Sequence, residues 1–275
     1  MLAPASKARV AYARRLHRRT FRESAGEFLA EGPQAVREAV AAGAVRELFL
    51  ASADAARHRA LADDALAAGA RVYDASDAAV TALSGTTTPQ GVIAVCARVD
   101  VGPEVALGTA PRLVAVLAAV RDPGNAGTIV RTADAAGADA VLFSPESVEL
   151  ANPKCVRAST GSLFHLPIAT GVEVAAAVVL ARLSGMRVLA ADGGGDHDLD
   201  DELDSGGLAA PTMWLFGNEA RGLPAELRAL ADAVVRVPIH GRAESLNLAA
   251  AAAVCLYASA RAQRRPPLNA VRIDP

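Results

Sequence analysis

The chain has 275 residues, 52% hydrophobic and 21% charged, enough apolar material for one large core or two small ones. No apolar run approaches the about 18 residues of a membrane span, and arginines interrupt the N-terminus where an export signal needs an apolar stretch, so a cytoplasmic protein is expected. The net charge of −2 conceals an asymmetry: Lys7, Arg9, Arg14, Arg15, Arg18, Arg19 and Arg22 give the first 22 residues +7 with no acid, leaving −9 on the other 253.

Beyond this basic arm, taken as 1–20, strand and helix signals alternate. An apolar segment at 28–30 leads to Gly32-Pro33, which opens a helix through Val40 that Gly43 closes. A strand follows over 45–50, then a helix over 54–68 ended by Gly69, a strand over 70–73, a short helix to Leu83 that Ser76 caps, and a strand over 92–99. These elements form one alternating domain, 21–100. Turn residues over 101–111 read as a linker. The pattern restarts in a second domain, 112–262. An apolar run over 113–120 has the composition of a strand buried on both faces, a Gly-rich turn leads into a helix over 128–136, and a strand over 140–143 completes a βαβ unit. Further strands are predicted over 187–191, 213–216 and 233–237, then a helix over 245–262 and a frayed tail over 263–275.

Several function classes lose support. No Gly-x-Gly-x-x-Gly follows a strand and no Walker-type Gly-Lys-Ser/Thr occurs. The segment from Asp196 to Asp200 starts like a calcium loop, but Asp201 stands where glycine is needed and Gly207 where glutamate is, so a solvated acidic loop is the simpler reading. Cys96, Cys155 and Cys255 are too widely spaced for a zinc or disulfide framework, the five histidines are scattered, and no metal is expected.

Three segments each follow a predicted strand, where open α/β sheets place their ligands. The first, Asn125-Ala-Gly127-Thr-Ile-Val-Arg131, offers glycines for close backbone approach and an arginine one turn into a helix. The second, Gly217-Asn-Glu219-Ala-Arg-Gly222, is a glycine-bounded loop holding a carboxylate. In the third, Ser245-Leu-Asn247 opens an alanine-rich helix, and Ser245 alone is most simply an N-cap. Singly, each has a bland reading as a turn or a cap.

Together, in order and spacing, they resemble the three motifs of the SpoU (TrmH) branch of the SPOUT RNA methyltransferases: Asn-x-Gly-x-x-x-Arg, Gly-x-Glu-x-x-Gly and Ser-x-Asn. The similarity spans about 113–257 and includes the stretch 154–167, whose Arg157 would be an RNA-facing arginine. The front domain is similar to the family's L30e-like RNA-binding domain. Ala249 departs from the serine many relatives carry, which implies a packing difference.

The resemblance implies an α/β fold whose second domain carries a deep trefoil knot, S-adenosylmethionine bound in that knot, and a homodimer formed through the C-terminal domain. Gly217, Ile239, Asn247 and Leu248 would line the cofactor pocket, with 189–192, Leu189 first, as a further wall. The implied reaction is methyl transfer to a ribose 2′-hydroxyl of structured RNA, with ribosomal RNA favoured over transfer RNA by analogy. Arg131 would activate the hydroxyl electrostatically, because a guanidinium normally keeps its proton. Asn125 would orient the first loop or Arg131, Glu219 would hold neighbouring backbone or arginine groups, and Ser245 with Asn247 would fix the third loop around the cofactor and Arg131. Arg14, Arg15, Arg18 and Arg19 would neutralise RNA phosphates. A non-catalytic RNA-binding module is the alternative, and it predicts damage in motifs that are intact here.

Overall fold

The computed structural model describes residues 2–264, and residues 265–275 of the expected tail lie outside that range. Packing divides the chain into two units. Unit 1 takes the chain up to Asp100 together with Glu149–His165, and unit 2 takes Val101–Val148 and the chain from Leu166 onward.

Unit 1 contains β1 (Ala3–Pro4), α1 (Lys7–Arg15), α2 (Arg19–Ala25), β2 (Glu27–Glu31), α3 (Pro33–Ala41), β3 (Val45–Ala51), α4 (Arg59–Ala67), β4 (Arg71–Ala75), α5 (Asp77–Leu83) and β5 (Val92–Ala97). Its sheet runs β1-β4-β3-β5-β2, with β5 antiparallel to β3 and β2. The segment expected as a separate basic arm is part of this unit. Ser6 caps α1 by accepting the Arg9 N–H at 3.3 Å, and Ala13 and Leu16 join Leu29, Phe49, Leu83 and Ile93 in one core. The arginines masked those two apolar positions, three residues apart on one helical face. Two of the arginines are structural. Arg9 donates to Glu47, a fully buried carboxylate on β3 that also receives Arg71 at 2.7 Å. The buried Arg22 donates to the carbonyls of Leu16 (2.9 Å) and His17 (3.0 Å) and pairs with Glu149. The helix expected over 54–68 starts only at Arg59, with His58 at its N-cap and no side chain capping it, while the Asp54 carboxylate lies against Gly91.

Unit 2 opens with α6 (Pro103–Leu107), β6 (Leu113–Leu117), α7 (Pro123–Ala136) and β7 (Ala140–Phe143). The expected linker therefore holds a helix, and Val101 already bridges to Ala169 within this unit. The chain then contributes α8 (Pro153–Ser159) to unit 1 by packing, where the Phe164 ring stacks on Phe28 at 6.0 Å, whereas the sequence pattern placed this stretch in the second domain. Unit 2 resumes with β8 (Ile168–Ala169), α9 (Val174–Leu183), β9 (Arg187–Ala191), β10 (His197–Asp198), α10 (Leu199–Asp204), β11 (Thr212–Phe216), α11 (Ala225–Arg228), β12 (Ala233–Arg236) and α12 (Leu248–Arg264).

The second sheet is wholly parallel, in the order β10-β12-β9-β11-β6-β7-β8. Strands β6, β7 and β11 are buried along their whole length, which is why they read as unbroken apolar runs. Helix α9 covers one face, with Ala177, Val178 and Ala181 packed among Val114, Val188 and Met213. Helix α12 packs on α7, and its buried Ser259 hydroxyl accepts the indole N–H of Trp214 at 2.9 Å. Among the described residues no helix is long and apolar enough to cross a membrane.

Candidate active site

The site forms where β6, β9, β11 and β12 end at the carboxyl edge of the parallel sheet. Strand β6 stops at Leu117 because Ala119 turns the chain with φ +55°. Helix α7 then starts at Pro123, earlier than the predicted 128. Asp122 is its N-cap, accepting the Asn125 N–H at 2.8 Å, and proline at the first helical position needs no hydrogen bond. Asn125 and Gly127 thus lie in the helix, and the Gly-rich segment is its first turn.

After β11 the chain doubles back. Asn218 and Gly222 exchange backbone hydrogen bonds of 3.0 and 2.8 Å. The Asn218 side chain accepts the N–H groups of Ala220 and Arg221 at 3.0 and 3.2 Å and donates to the Ala119 carbonyl at 2.8 Å. A Cβ on Gly217 would lie 2.4 Å from the Gly222 carbonyl carbon and 2.6 Å from the Leu223 nitrogen, so the fold leaves no room for a side chain there. Gly222 has φ +63°, the left-handed region that glycine enters without cost.

This loop delivers Glu219 to the start of α7. One carboxylate oxygen accepts the Asp122 N–H (3.1 Å) and the Asn125 amide (3.2 Å), and the other accepts the Arg121 N–H (3.3 Å). Partial burial pushes the carboxyl upward. The hydrogen bonds from its own backbone, Asn125, Asp122 and Arg121 outweigh that and hold it below the ordinary carboxylate range. The Asn125 carbonyl oxygen in turn accepts the Asn247 amide at 3.1 Å. Asn247 caps α12, its side-chain oxygen taking the N–H groups of Ala249 and Ala250 at 2.9 and 3.3 Å. One hydrogen-bonded line, Glu219 to Asn125 to Asn247, therefore joins all three motif segments. The cap is Asn247 and not Ser245, which lies in the exposed stretch before α12. Arg131 is exposed on α7, six residues beyond Asn125.

Beside this line is a cavity of about 560 Å³, walled by 191–193, the Gly217–Gly222 loop, 235–239 and 244–248. Gly217, Glu219, Ile239, Ser245 and Leu248 line it, while Asn247, expected among them, does not, because its side chain is engaged by Asn125 and the first N–H groups of α12. Leu189 does not reach it. That side chain is fully buried in mid-strand, paired with Trp214 and Ala233, and the wall begins two residues later at Ala191. Asp192 closes the 189–192 stretch that was expected as a further wall, whereas Arg228 and Arg236 were not expected here. Arg228 lies 3.7 Å from the Asp192 carboxylate, and Arg236 donates to the Gly195 carbonyl at 2.9 Å. Asn218 was also missed. Nothing local distinguishes Arg228, Arg236 and Asn218 from ordinary surface residues, since their roles depend on strands far apart in sequence.

In unit 1, Arg14, Arg15 and Arg18 line a groove of about 1070 Å³ between α1 and α5 with Lys7 and His17, and no carboxylate lines it. Arg15 also lies over the Phe21 ring at 3.9 Å. Arg19 is outside the groove and pairs with Glu23 at 2.8 Å. Arg157 borders a different cavity of the same unit, 3.8 Å from Glu31. Among the described residues no group of three or more His, Cys, Asp or Glu could hold a metal ion.

Comparison with known proteins finds two family matches along the chain, the more C-terminal of which runs through 149–165. Residues 112–257 match the SpoU rRNA methylase family, and residues 7–94 match the MRM3-like substrate binding domain. The chain is 35% identical over 247 residues, 89% of its length and 92% of the relative's, to the 23S rRNA (guanosine(2553)-2′-O)-methyltransferase RlmP of Bacillus subtilis. Among solved structures, an AdoMet-bound rRNA methyltransferase from Sinorhizobium meliloti aligns with TM-score 0.80 and 30% identity over 94% of this chain and 97% of that one. The SpoU methyltransferase AviRb from Streptomyces viridochromogenes, in complex with AdoMet, aligns with TM-score 0.78 and 30% identity over 93% and 98%.

Proposed function

Because the chain belongs to the SpoU rRNA methylase family, we propose that it methylates a ribose 2′-hydroxyl of ribosomal RNA, with S-adenosylmethionine as the methyl donor. The observation that carries this reading is the hydrogen-bonded line from Glu219 through Asn125 to Asn247, which fastens the three motif loops around one cavity.

The cavity suits the cofactor. Its volume of about 560 Å³ lies within the usual range of small-ligand pockets, roughly 300–1,000 Å³. Apolar Phe216, Ile239 and Leu248 offer a surface for an adenine ring, and the missing side chain of Gly217 leaves backbone groups open to approach. Asp192, Glu219 and Glu244 face Arg221, Arg228 and Arg236, a balanced lining for a ligand carrying both signs of charge. Bound there, S-adenosylmethionine supplies a methyl group on a positively charged sulfur.

The chain's own groups then have to position the ribose hydroxyl and ease loss of its proton. Arg131 supplies fixed positive charge that stabilises the oxygen as it becomes alkoxide-like, and the proton leaves to solvent or a neighbouring phosphate. Asn125 orients the start of α7 on which Arg131 is carried. Glu219 holds that helix start by accepting its N–H groups, and Ser245 with Asn247 keeps the third loop in register. The proposal includes the trefoil knot and a homodimer. Ile239 (38% exposed), Leu246 (39%), Val254 (42%) and Tyr257 (52%) give the third loop and α12 an apolar surface that a second copy would cover. In unit 1, the Arg14, Arg15 and Arg18 groove takes phosphates, Arg19 adds charge beside it, and Arg157 contacts RNA from its own cavity.

The test is methyl transfer from radiolabelled S-adenosylmethionine to ribosomal and transfer RNA, with the modified ribose mapped by resistance to alkaline hydrolysis. Label in ribosomal RNA that is lost with Arg131→Ala is the expected outcome. Cofactor binding without label in either RNA would overturn catalysis and leave the binding-module reading.

A further inference from the structure

The turn at 84–86 borders two cavities of unit 1. Ser84 and Gly85 close one end of the basic groove, while Thr86 belongs to a second cavity of about 390 Å³ that also takes Glu31, Gln34, Gln90, Arg157 and Thr160 into its walls. Glu31 builds the turn. Its carboxylate accepts the Ser84 hydroxyl, the Gly85 N–H at 3.0 Å and the Thr86 hydroxyl at 2.9 Å, and it stands 3.8 Å from the Arg157 guanidinium. That guanidinium lies against Gly85, so close that a Cβ there would be 2.5 Å from it.

The two cavities differ in charge. The groove gathers one ammonium and three guanidinium groups with no carboxylate, the environment of a polyanion. In the smaller cavity Glu31 offsets Arg157, and the remaining polar groups are neutral amides and hydroxyls. A phosphate gains little from a balanced site. An uncharged nucleobase matches it better: its edge presents donors and acceptors that amides can meet two at a time, and its face can stack on a guanidinium plane. Gln34 is already oriented, donating to Glu38 at 2.7 Å and accepting from Arg37 at 2.7 Å, and each amide atom keeps capacity for a further bond. A volume of about 390 Å³ accepts a flat heterocycle with its sugar.

We propose that this cavity holds one unstacked base of the RNA whose backbone occupies the basic groove, with Gln34 and Gln90 reading its edge and Arg157 providing the platform, a step that rests on the RNA methylation reading above. Unit 1 then contributes sequence preference as well as affinity.

The experiment is fluorescence anisotropy of the full chain with labelled single-stranded RNA oligomers of A, C, G or U, about ten nucleotides long. The wild type is expected to separate the best from the worst by about tenfold, the scale of one bidentate base contact. Gln34→Ala/Gln90→Ala should compress that spread to about twofold and leave the salt dependence unchanged. Arg14→Ser/Arg18→Ser should weaken all four oligomers alike and flatten the salt dependence. Thermal melting checks that each variant folds, and both glutamines are at the surface. A wild type with no preference, or a glutamine variant that keeps its ranking and spread, overturns the base site even when ribosomal RNA is methylated. Loss of oligomer binding together with absence of methyl transfer overturns the reading beneath it.

Discussion

The groove of unit 1 and the pocket of unit 2 are both rich in charge, and they use it in opposite ways. Lys7, Arg14, Arg15 and Arg18 face the groove with no carboxylate among them, whereas the pocket sets Asp192, Glu219 and Glu244 against three arginines. Unbalanced exposed charge acts out to roughly a Debye length, about 8–10 Å at physiological salt, and attracts a phosphate chain regardless of its sequence. Balanced charge exerts little long-range pull. It fixes how a small ligand is turned, and much of it is committed to holding loops, as Glu219 is on α7 and Arg236 is on the Gly195 carbonyl. On the proposed function, net charge would mark where the polymer lies and paired charge where the cofactor is aligned.

The largest break in this comparison should come from Arg131→Ala. If Arg131 stabilises the reacting oxygen, turnover falls by roughly 10²–10³, the usual cost of losing one such group. RNA affinity and its salt dependence should stay at wild-type values, and a parallel loss of both would mean that Arg131 only binds phosphate. Next is Gly217→Ala, whose new Cβ would press on the Gly222 backbone at 2.4 Å. The loop must shift, so cofactor affinity measured by calorimetry should drop at least about tenfold, with about 1–3 kcal/mol lost in urea unfolding. The groove should be untouched by it.

A pair of charge removals sharpens the other side. Arg14→Ser/Arg18→Ser should reduce the salt slope of RNA binding by about 0.7–0.9 for every phosphate that is no longer neutralised, with little change in stability. Arg9→Ser removes the same kind of charge from the same N-terminal segment, yet it takes a hydrogen-bonded partner from the buried Glu47 and should cost about 1–3 kcal/mol in folding. A stable Arg9→Ser protein with a weakened salt slope would mean that Arg9 belongs to the groove.

The contrast between arginines that line the groove and arginines that hold the fold was not legible in the sequence, where all seven basic residues of the first 22 look alike. What separates them is the partner, and Glu47 and Glu149 lie 38 and 127 residues from the arginines they hold. The same limit explains why the stretch 149–165, with α8, could not be assigned to unit 1 from its local pattern: it enters through contacts such as Phe28 with Phe164. Strands β6, β7, β9 and β11 were legible because burial on both faces demands continuous apolar runs. The motif residues were legible by spacing, yet their hydrogen bonds, across 94 residues from Glu219 to Asn125 and 122 from Asn247 to Asn125, were not. The start of α7 was a local signal misjudged: Gly124 and Gly127 suggested a turn, while Asp122-Pro123 already carried the cap and first position of a helix.

The smallest effect should be the pH dependence of Glu219. Its carboxyl is held below the ordinary range, so the charged form is favoured by folding. A carboxylate depressed in this way contributes stability that is fully present above its unfolded value, about 4.3, and is lost as pH falls through the lower folded value. Exposure and salt screening keep the contribution small. Glu219→Gln keeps an acceptor and removes the charge, so its stability deficit should be measurable at neutral pH, shrink as the wild type becomes protonated, and weaken in high salt. A deficit that stayed constant across acid pH would assign the effect to shape instead of charge. Protonation also turns one acceptor oxygen into a donor facing the N–H groups of Arg121 and Asp122. Cofactor affinity should therefore weaken on the acid side before RNA affinity does, because no carboxylate lines the groove.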